Sequence, residues 1–251
     1  MSELAIEARG LTRRFGSRTA VDGIDLAVPR GAFFALLGPN GAGKTTTVRM
    51  LTGLLHPSAG TVRILDRSLE HDDLPIKRQI GVVPDDLALF DRLTVWEHVT
   101  MVGEVYDLSP DETRARGESL LEFLDLHSSR DVVAGEASTG MRKKLALALA
   151  LLHRPEVLFL DEPFEAIDPI SGRHLRSLLE QLAARGVTIF LTSHILEIVE
   201  RLADHVAILH QGRLARQITR AEWSGDRSLE AQFFEATGGS ARSGVDLDWL
   251  L

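Results

Sequence analysis

Short runs of apolar residues, separated by stretches with helical spacing, set the first expectation for this chain. Six consecutive apolar residues over 32–37 are too few for an isolated helix and predict a buried strand. Similar runs at 157–160, 187–191 and 206–209 predict three more strands. Because these runs are apolar throughout and do not alternate, we expect strands of a parallel sheet that is covered on both faces. This pattern predicts a protein of the α/β class.

The N-terminal third starts with strand-like segments, whereas the middle of the chain has a helical pattern. Alternating residues at 4–8 and 24–28 indicate strands, and helical spacing over 44–55 indicates a helix directly after the first buried strand. Ser109 has the position of an N-cap, with proline and two acids in the turn that follows. Further helices are predicted over 93–105, 140–152 and 171–185. Residues 86–153 are therefore expected to be a mostly helical block set into an α/β protein.

Composition and charge narrow the classes of protein to consider. The chain has no cysteine, which excludes disulfides and cysteine-based zinc sites, and its formal net charge is −8. Residues 1–85 carry 11 basic and 9 acidic side chains, whereas each of the two remaining thirds has a net charge of −5. Without a long basic stripe, we expect no nucleic-acid partner. The longest apolar run has eight residues and the acidic N-terminus does not look like a secretory signal, so a cytoplasmic location is expected.

A glycine-rich loop between the predicted strand at 32–37 and the predicted helix carries the strongest chemical signal. It fits the pattern G-x-x-x-x-G-K-[ST], and a strand before it and a helix after it are the context that supports a phosphate-binding loop. Glycines let successive backbone N–H groups turn towards a phosphate chain, and the helix N-terminus adds partial positive charge. We expect Lys44 to reach the β- and γ-phosphates and the Thr45 hydroxyl to bind Mg²⁺. The candidate nucleotide-binding residues are Gly38, Pro39, Asn40, Gly41, Ala42, Gly43, Lys44, Thr45 and Thr46.

Two carboxylates follow the apolar run at 157–160. At the end of a buried strand, Asp161 can hold Mg²⁺, and the adjacent Glu162 can orient or deprotonate an attacking water. A guanine-specific Asn-Lys-x-Asp motif is excluded, because Asn40 is the only asparagine of the chain. The phosphate loop is thus not that of a GTPase with this motif.

The segment 137–141, Ala-Ser-Thr-Gly-Met, precedes a basic, apolar helix and lies about twenty residues before Asp161. It resembles the signature motif of ATP-binding cassette (ABC) proteins, usually Leu-Ser-Gly-Gly-Gln, in the Ser-Thr-Gly-Met variant of bacterial ABC-2 exporter ATPases. Residues 4–237 follow the family's order of motifs. The resemblance implies a P-loop NTPase (RecA-like) parallel-sheet core, an N-terminal antiparallel β subdomain and an inserted α-helical subdomain. It predicts an ABC ATPase domain over 1–237, in which 229–237 resembles the closing helix of exporter ATPases. Residues 238–251 begin with a stretch rich in glycine and serine and are expected to be a flexible tail, with an interaction tag as the alternative.

The resemblance also assigns roles to single residues. Phe15 stands where an aromatic ring stacks on adenine, Glu162 matches the catalytic glutamate, and His194 matches the switch histidine at the γ-phosphate. Asp168 matches the aspartate of the loop that crosses the dimer interface. In the implied head-to-tail homodimer, ATP bound by one subunit is covered by Ser138 and Gly140 of the other.

The chain departs from the family pattern at Asp85, which occupies the position of the usual glutamine. An ionised aspartate accepts hydrogen bonds but cannot donate them, and its side chain is one methylene shorter. Asp85 can still bind Mg²⁺, and the exchange can also weaken water positioning or change the coupling to a membrane partner.

The leading function is therefore a Mg²⁺-dependent ATPase that drives export through a separate membrane permease and lies on the cytoplasmic face of the membrane. A soluble ABC ATPase that acts on DNA or ribosomes is disfavoured by the single phosphate loop and by the 53 positions between Asp85 and Ser138, too few for a long coiled coil. The third hypothesis is a nucleotide-sensing regulator with weak turnover, because Asp85 replaces the usual glutamine. The transported substrate does not follow from the sequence.

Overall fold

The computed structural model describes residues 3–71, 73–165, 167–224 and 227–238. Two sheets organise them. The first is a four-stranded antiparallel sheet near the N-terminus, with the order β2-β1-β4-β5. Its strands are β1 (Leu4–Phe15), β2 (Arg18–Pro29), β4 (Ala59–Ile64) and β5 (Arg67–Ser68). β1 and β2 extend well beyond the predicted alternating segments, because they pair with each other as a long hairpin.

The second sheet contains the apolar runs predicted as buried strands. In spatial order it consists of β10 (Arg213–Thr219), β9 (His205–His210), β3 (Phe33–Leu37), β8 (Thr188–Ser193), β7 (Val157–Asp161) and β6 (Ile80–Val83). All neighbours from β9 to β6 are parallel, and the edge strand β10 is antiparallel to β9. Every residue of β3, β7 and β8 is buried, which is the physical reason that these runs lack alternation. The predicted α/β class is confirmed.

Helices cover this sheet and form the middle of the chain. They are α1 (Lys44–Leu51), α2 (Asp73–Lys77), α3 (Val95–Val105), α4 (Pro110–Phe123), α5 (Thr139–Leu151), α6 (Pro169–Ala184), α7 (Leu196–Leu202), α8 (Arg220–Trp223) and α9 (Leu229–Thr237). α1 is shorter than the predicted 44–55, because the chain turns at Gly53, whose φ of +73° leaves the helical region.

The helices α3, α4 and α5 lie between β6 and β7 in the chain, where the sequence predicts the helical block. Ser109 caps α4 as predicted, and its hydroxyl and Glu112 form a reciprocal capping box. Apolar residues of all three helices share one core with the parallel sheet, among them Val99, Leu121 and Leu145. The boundaries at 86 and 153 remain a prediction.

Most of the predicted tail, residues 239–251, lies outside the described residues. Among the helices of the described ranges, none combines the length and the apolarity needed to cross a bilayer.

Candidate active site

The phosphate loop joins β3 to α1 and is shaped by glycines that no other residue could replace at two positions. A Cβ atom on Gly38 would lie 2.4 Å from the carbonyl oxygen of Leu209. Gly43 has a φ of +110°, and a Cβ there would lie 2.6 Å from the Ala20 oxygen. Sheet and loop are therefore in direct backbone contact, which fixes the start of α1.

Lys44 is the first residue of α1 and is only 6% exposed. Its Nζ donates hydrogen bonds to the carbonyl oxygens of Gly38, at 2.8 Å, and Pro39, at 3.3 Å. The same ammonium group lies 3.0 Å from Oε1 of Glu162. One cation thus joins the loop to the acidic pair after β7.

Asp161 ends β7, and the parallel register places it beside Thr192 of β8. The Thr192 hydroxyl donates to Asp161 Oδ1 at 2.5 Å. Burial raises the pKa of Asp161, whereas the hydroxyls of Thr192 and Thr45 lower it, and the nearby carboxylates of Asp85 and Glu162 raise it further. The carboxyl group therefore carries a desolvation cost that a bound cation would relieve.

Glu162 follows Asp161 in the left-handed region, with φ +49°, and is 9% exposed. Its Oε2 lies 3.0 Å from Nδ1 of His194, at the end of β8, and its backbone N–H donates to the Thr192 hydroxyl at 2.9 Å. Lys44 and His194 therefore hold the two carboxylate oxygens of Glu162, and Thr192 holds its backbone. Non-glycine residues with such a φ are uncommon and concentrate at functional sites.

These residues open onto a cleft of about 790 Å³. Eight sequence-predicted residues line it: Asn40, Gly41, Gly43, Lys44, Thr45, Thr46, Asp85 and Glu162. Three further lining residues, Arg18, Ala20 and Glu165, were not predicted. Arg18 had no motif to mark it, and only the packing of the β1–β2 hairpin beside the loop brings it here.

The donors in and beside this cleft suit a nucleotide and a magnesium ion. Thr45, Asp161 and Asp85 present oxygen atoms, the ligand type that Mg²⁺ prefers. Within the described ranges no group of three or more His, Cys, Asp or Glu side chains could hold a metal by itself. Mg²⁺ in phosphoryl-transfer sites is commonly held by one or two carboxylates together with substrate phosphates.

Nine predicted residues are not among the residues that line the cleft. Five of them belong to the phosphate loop or to the acidic pair and its contacts: Gly38, Pro39, Ala42, Asp161 and His194. The other four are Phe15, Ser138, Gly140 and Asp168, and of these Gly140 lines a second cavity together with Asp85 and Asp161. Phe15 is 47% exposed, and the Arg13 guanidinium stands 4.7 Å from its ring centroid. Ser138 caps α5 by accepting a hydrogen bond from the Met141 N–H.

Asp168 caps α6, where its carboxylate accepts 3.0 Å hydrogen bonds from the N–H groups of Ser171 and Ile170. These bonds lower the pKa of Asp168. Ser138 and Asp168, at the starts of α5 and α6, are exposed and do not line the cleft.

Two functional positions escaped the sequence analysis. Thr192 stands next to His194 at a predicted strand end, so a signal existed, but its bridging role depends on the register between β7 and β8. Lys143 donates hydrogen bonds to the carbonyl oxygens of Glu162 and Glu165. Its sequence context, a basic helix, gave no indication of this contact.

Comparison with known proteins places these features in one family. The family model described as "ABC transporter" matches residues 21–165. The Nod factor export ATP-binding protein I of Burkholderia lata is 41% identical over 83% of this chain and 68% of that protein. The solved "ATP binding subunit of ABC transporter" is 30% identical and superposes with a TM-score of 0.85 over 93% of this chain and 99% of that one. The dimeric cassette MJ0796 is 25% identical, with a TM-score of 0.80 over 86% of this chain and 98% of that one.

Proposed function

The chain belongs to the ABC transporter family, and we propose that this ATPase works as a Mg²⁺-dependent homodimer that drives export through a separate membrane permease. The observation that carries the proposal is the position of Glu162. It lies at the end of β7, between the ammonium group of Lys44 and the imidazole of His194. Export is favoured because the relative described above is an export ATP-binding protein.

The residues of the cleft divide the work of phosphoryl transfer. Loop N–H groups and Lys44 bind the phosphate chain, and phosphate oxygens compete with Glu162 for the Lys44 ammonium group. Thr45, Asp161 and Asp85 would hold Mg²⁺, which neutralises charge on the β- and γ-phosphate oxygens.

Glu162 accepts a hydrogen bond from the attacking water and takes its proton. His194 keeps the Glu162 carboxylate in place through the 3.0 Å contact and, by family resemblance, contacts the γ-phosphate. Asp85 stands where the family has glutamine, so in this protein the group that would hold Mg²⁺ at that position is a carboxyl group and not a carboxamide.

A second copy of the chain completes the site. Ser138, Gly140 and Asp168 stand at the starts of α5 and α6 and do not line the nucleotide cleft of their own chain. A helix start presents unpaired N–H groups that suit phosphate, and the similar cassette MJ0796 is a dimer. Phe15, with one ring face exposed, is proposed to stack on adenine.

The permease is proposed to bind an apolar groove between the end of α1 and the helices α3 and α5. The groove is open to solvent, and its lining includes Leu54, Leu74 and Val105. These side chains are 62%, 62% and 67% exposed, unusual for large aliphatic residues at one place. Binding there would hold the ATPase on the cytoplasmic face of the membrane, with no nucleic acid involved.

Replacing Glu162 by glutamine tests the catalytic proposal. The E162Q protein should bind ATP, dimerise, and hydrolyse ATP at least about 100-fold more slowly, because the amide cannot take a proton. ATP affinity and dimer mass, measured by calorimetry and light scattering, serve as controls for the fold. Turnover equal to that of the wild type would remove Glu162 from the catalytic role.

Replacing Leu54 and Val105 by glutamate tests the groove. The double variant should keep the ATPase activity of the isolated subunit and lose co-purification with the co-expressed permease from detergent-solubilised membranes. The surface substitution Glu118→Lys, on α4 and outside the groove, is the charge-changing control. Retained permease binding by the double variant would refute this docking surface.

A further inference from the structure

The side chain of Lys143 connects α5 to the turn that follows β7. Its Nζ donates hydrogen bonds to the carbonyl oxygen of Glu165 and, at 3.4 Å, to that of Glu162. Lys143 is the fifth residue after Ser138, and at 1.5 Å per residue this is about 7.5 Å along the helix. The start of α5 and the catalytic turn are therefore joined through one side chain.

The turn that Lys143 contacts depends on this kind of support. Glu162 is held at φ +49°, which disfavours non-glycine residues by about 1–2 kcal/mol. A backbone hydrogen bond, from the Glu165 N–H to the Glu162 carbonyl oxygen at 3.2 Å, closes the turn from inside. Lys143 binds the same carbonyl oxygen from outside, so it restrains the peptide that sets the direction of the Glu162 side chain.

The position of the ammonium group is costly, which argues against an incidental surface contact. Burial lowers the pKa of Lys143, and the neighbouring carboxylates of Glu165, Asp85 and Glu162 oppose that shift. A lysine on a solvated face would keep its charge in water.

We propose that Lys143 is a positioning residue that holds the Glu162 turn in its productive conformation and transmits movements of the α5 start to it. The proposal rests on the proposed roles of Glu162 and of Ser138 and Gly140. Ser138 and Gly140 cover the nucleotide of the partner subunit, so the start of α5 moves when that nucleotide binds or leaves. Lys143 passes this movement to the Glu162 carboxylate, which belongs to the other ATP site. The two sites of the dimer are thereby coupled within each chain.

The test compares Lys143→Met, Lys143→Arg and the control Lys144→Met in the full-length chain. Lys144 is the next residue of α5 and carries the same charge. We expect K143M to lower kcat about 10-fold or more with KM within about 2-fold, because a misdirected carboxylate impairs the reaction more than binding. The Hill coefficient for ATP should fall towards 1. K143R, which keeps a long donor, should recover kcat to within about 3-fold of the wild type, and K144M should resemble the wild type.

A merely stabilising role would give a different result. It predicts a lower melting temperature with unchanged kcat for the folded fraction, and that outcome overturns the proposal. An equal loss of kcat in K144M, or no recovery of kcat in K143R, also overturns it. If K143M does not fold, Lys143→Ala replaces it, because alanine keeps the helix propensity. In K143M/E162Q the turnover should equal that of E162Q, since both changes act on one carboxylate. If K143M has wild-type turnover and E162Q is inactive, only the role of Lys143 is refuted. If E162Q has wild-type turnover, the proposed function is refuted.

Discussion

The Thr192 hydroxyl bridges Asp161 and Glu162, and replacing Thr192 with valine removes that bridge while keeping the shape of the side chain. The hydroxyl donates to Asp161 Oδ1 at 2.5 Å and accepts from the Glu162 N–H at 2.9 Å. Thr192 is fully buried, so water does not replace the lost partners easily. The substitution should therefore affect both stability and activity.

The magnitude follows from the two bonds. Leaving the buried Glu162 N–H unpaired costs about 1–3 kcal/mol, and losing a hydrogen bond to the carboxyl group of Asp161 costs about 1.5–3 kcal/mol. Together the free energy of unfolding should fall by about 3–5 kcal/mol, which is about 6–20 °C in melting temperature for a chain of this size. We expect kcat to fall by about 10-fold or more, because the Asp161 carboxyl group and the Glu162 backbone each lose an orienting contact.

The strand itself provides the control. Thr188, at the other end of β8, is 2% exposed, and its hydroxyl accepts a hydrogen bond from the Gly31 N–H at 2.9 Å. The T188V protein should lose about 1–3 kcal/mol of stability and keep kcat within about 2-fold. Denaturant unfolding followed by tryptophan fluorescence, together with steady-state ATPase assays, measures both quantities. If T192V has the kcat of T188V, the bridge has no catalytic role and this interpretation is wrong.

Three further substitutions test other parts of the site. Gly38→Ala would place a Cβ 2.4 Å from the Leu209 oxygen. Calorimetry should therefore detect no ATP binding, and a melting curve should show lower stability. Normal ATP affinity would contradict the packing argument. Gly140→Ala meets no atom within 4 Å of the described residues, so its melting temperature should stay equal or rise slightly, while the ATPase rate falls if Gly140 covers the partner's nucleotide. Unchanged ATPase activity would argue against that contact. The hydrogen bonds at the start of α6 lower the pKa of Asp168 in the folded state. The ionised cap therefore stabilises the fold at pH values above the pKa that Asp168 has in the unfolded chain. This stabilisation is lost as the pH falls through the lower pKa of the folded state. The stability advantage of the wild type over Asp168→Asn should therefore shrink below about pH 4 in acid-unfolding curves, and a constant difference would refute the assignment.

Much of the fold and the phosphate loop could be predicted from local sequence patterns. The apolar run 32–37, the glycine loop and the helix starting at Lys44 predicted the phosphate loop in its context, because all of its determinants lie within 14 consecutive residues. The end of α1 was predicted too late, because the turn at Gly53 competes with an apolar pattern that continues past it. The edge strand β10 was not predicted, since its residues alternate between exposed and partly buried positions without a continuous apolar run.

The sequence by itself determined the α/β class, the phosphate loop and the family resemblance that the comparisons confirm, because these depend on residues close together in the chain. Only the tertiary structure decided which side chains meet across long separations. The register of β7 against β8 brings Thr192 to Asp161, and His194 to Glu162, across 31 and 32 positions. The contact of Lys143 with the Glu162 turn likewise requires α5 to pack beside β7. Such contacts arise from sheet register and helix packing, which no local pattern encodes.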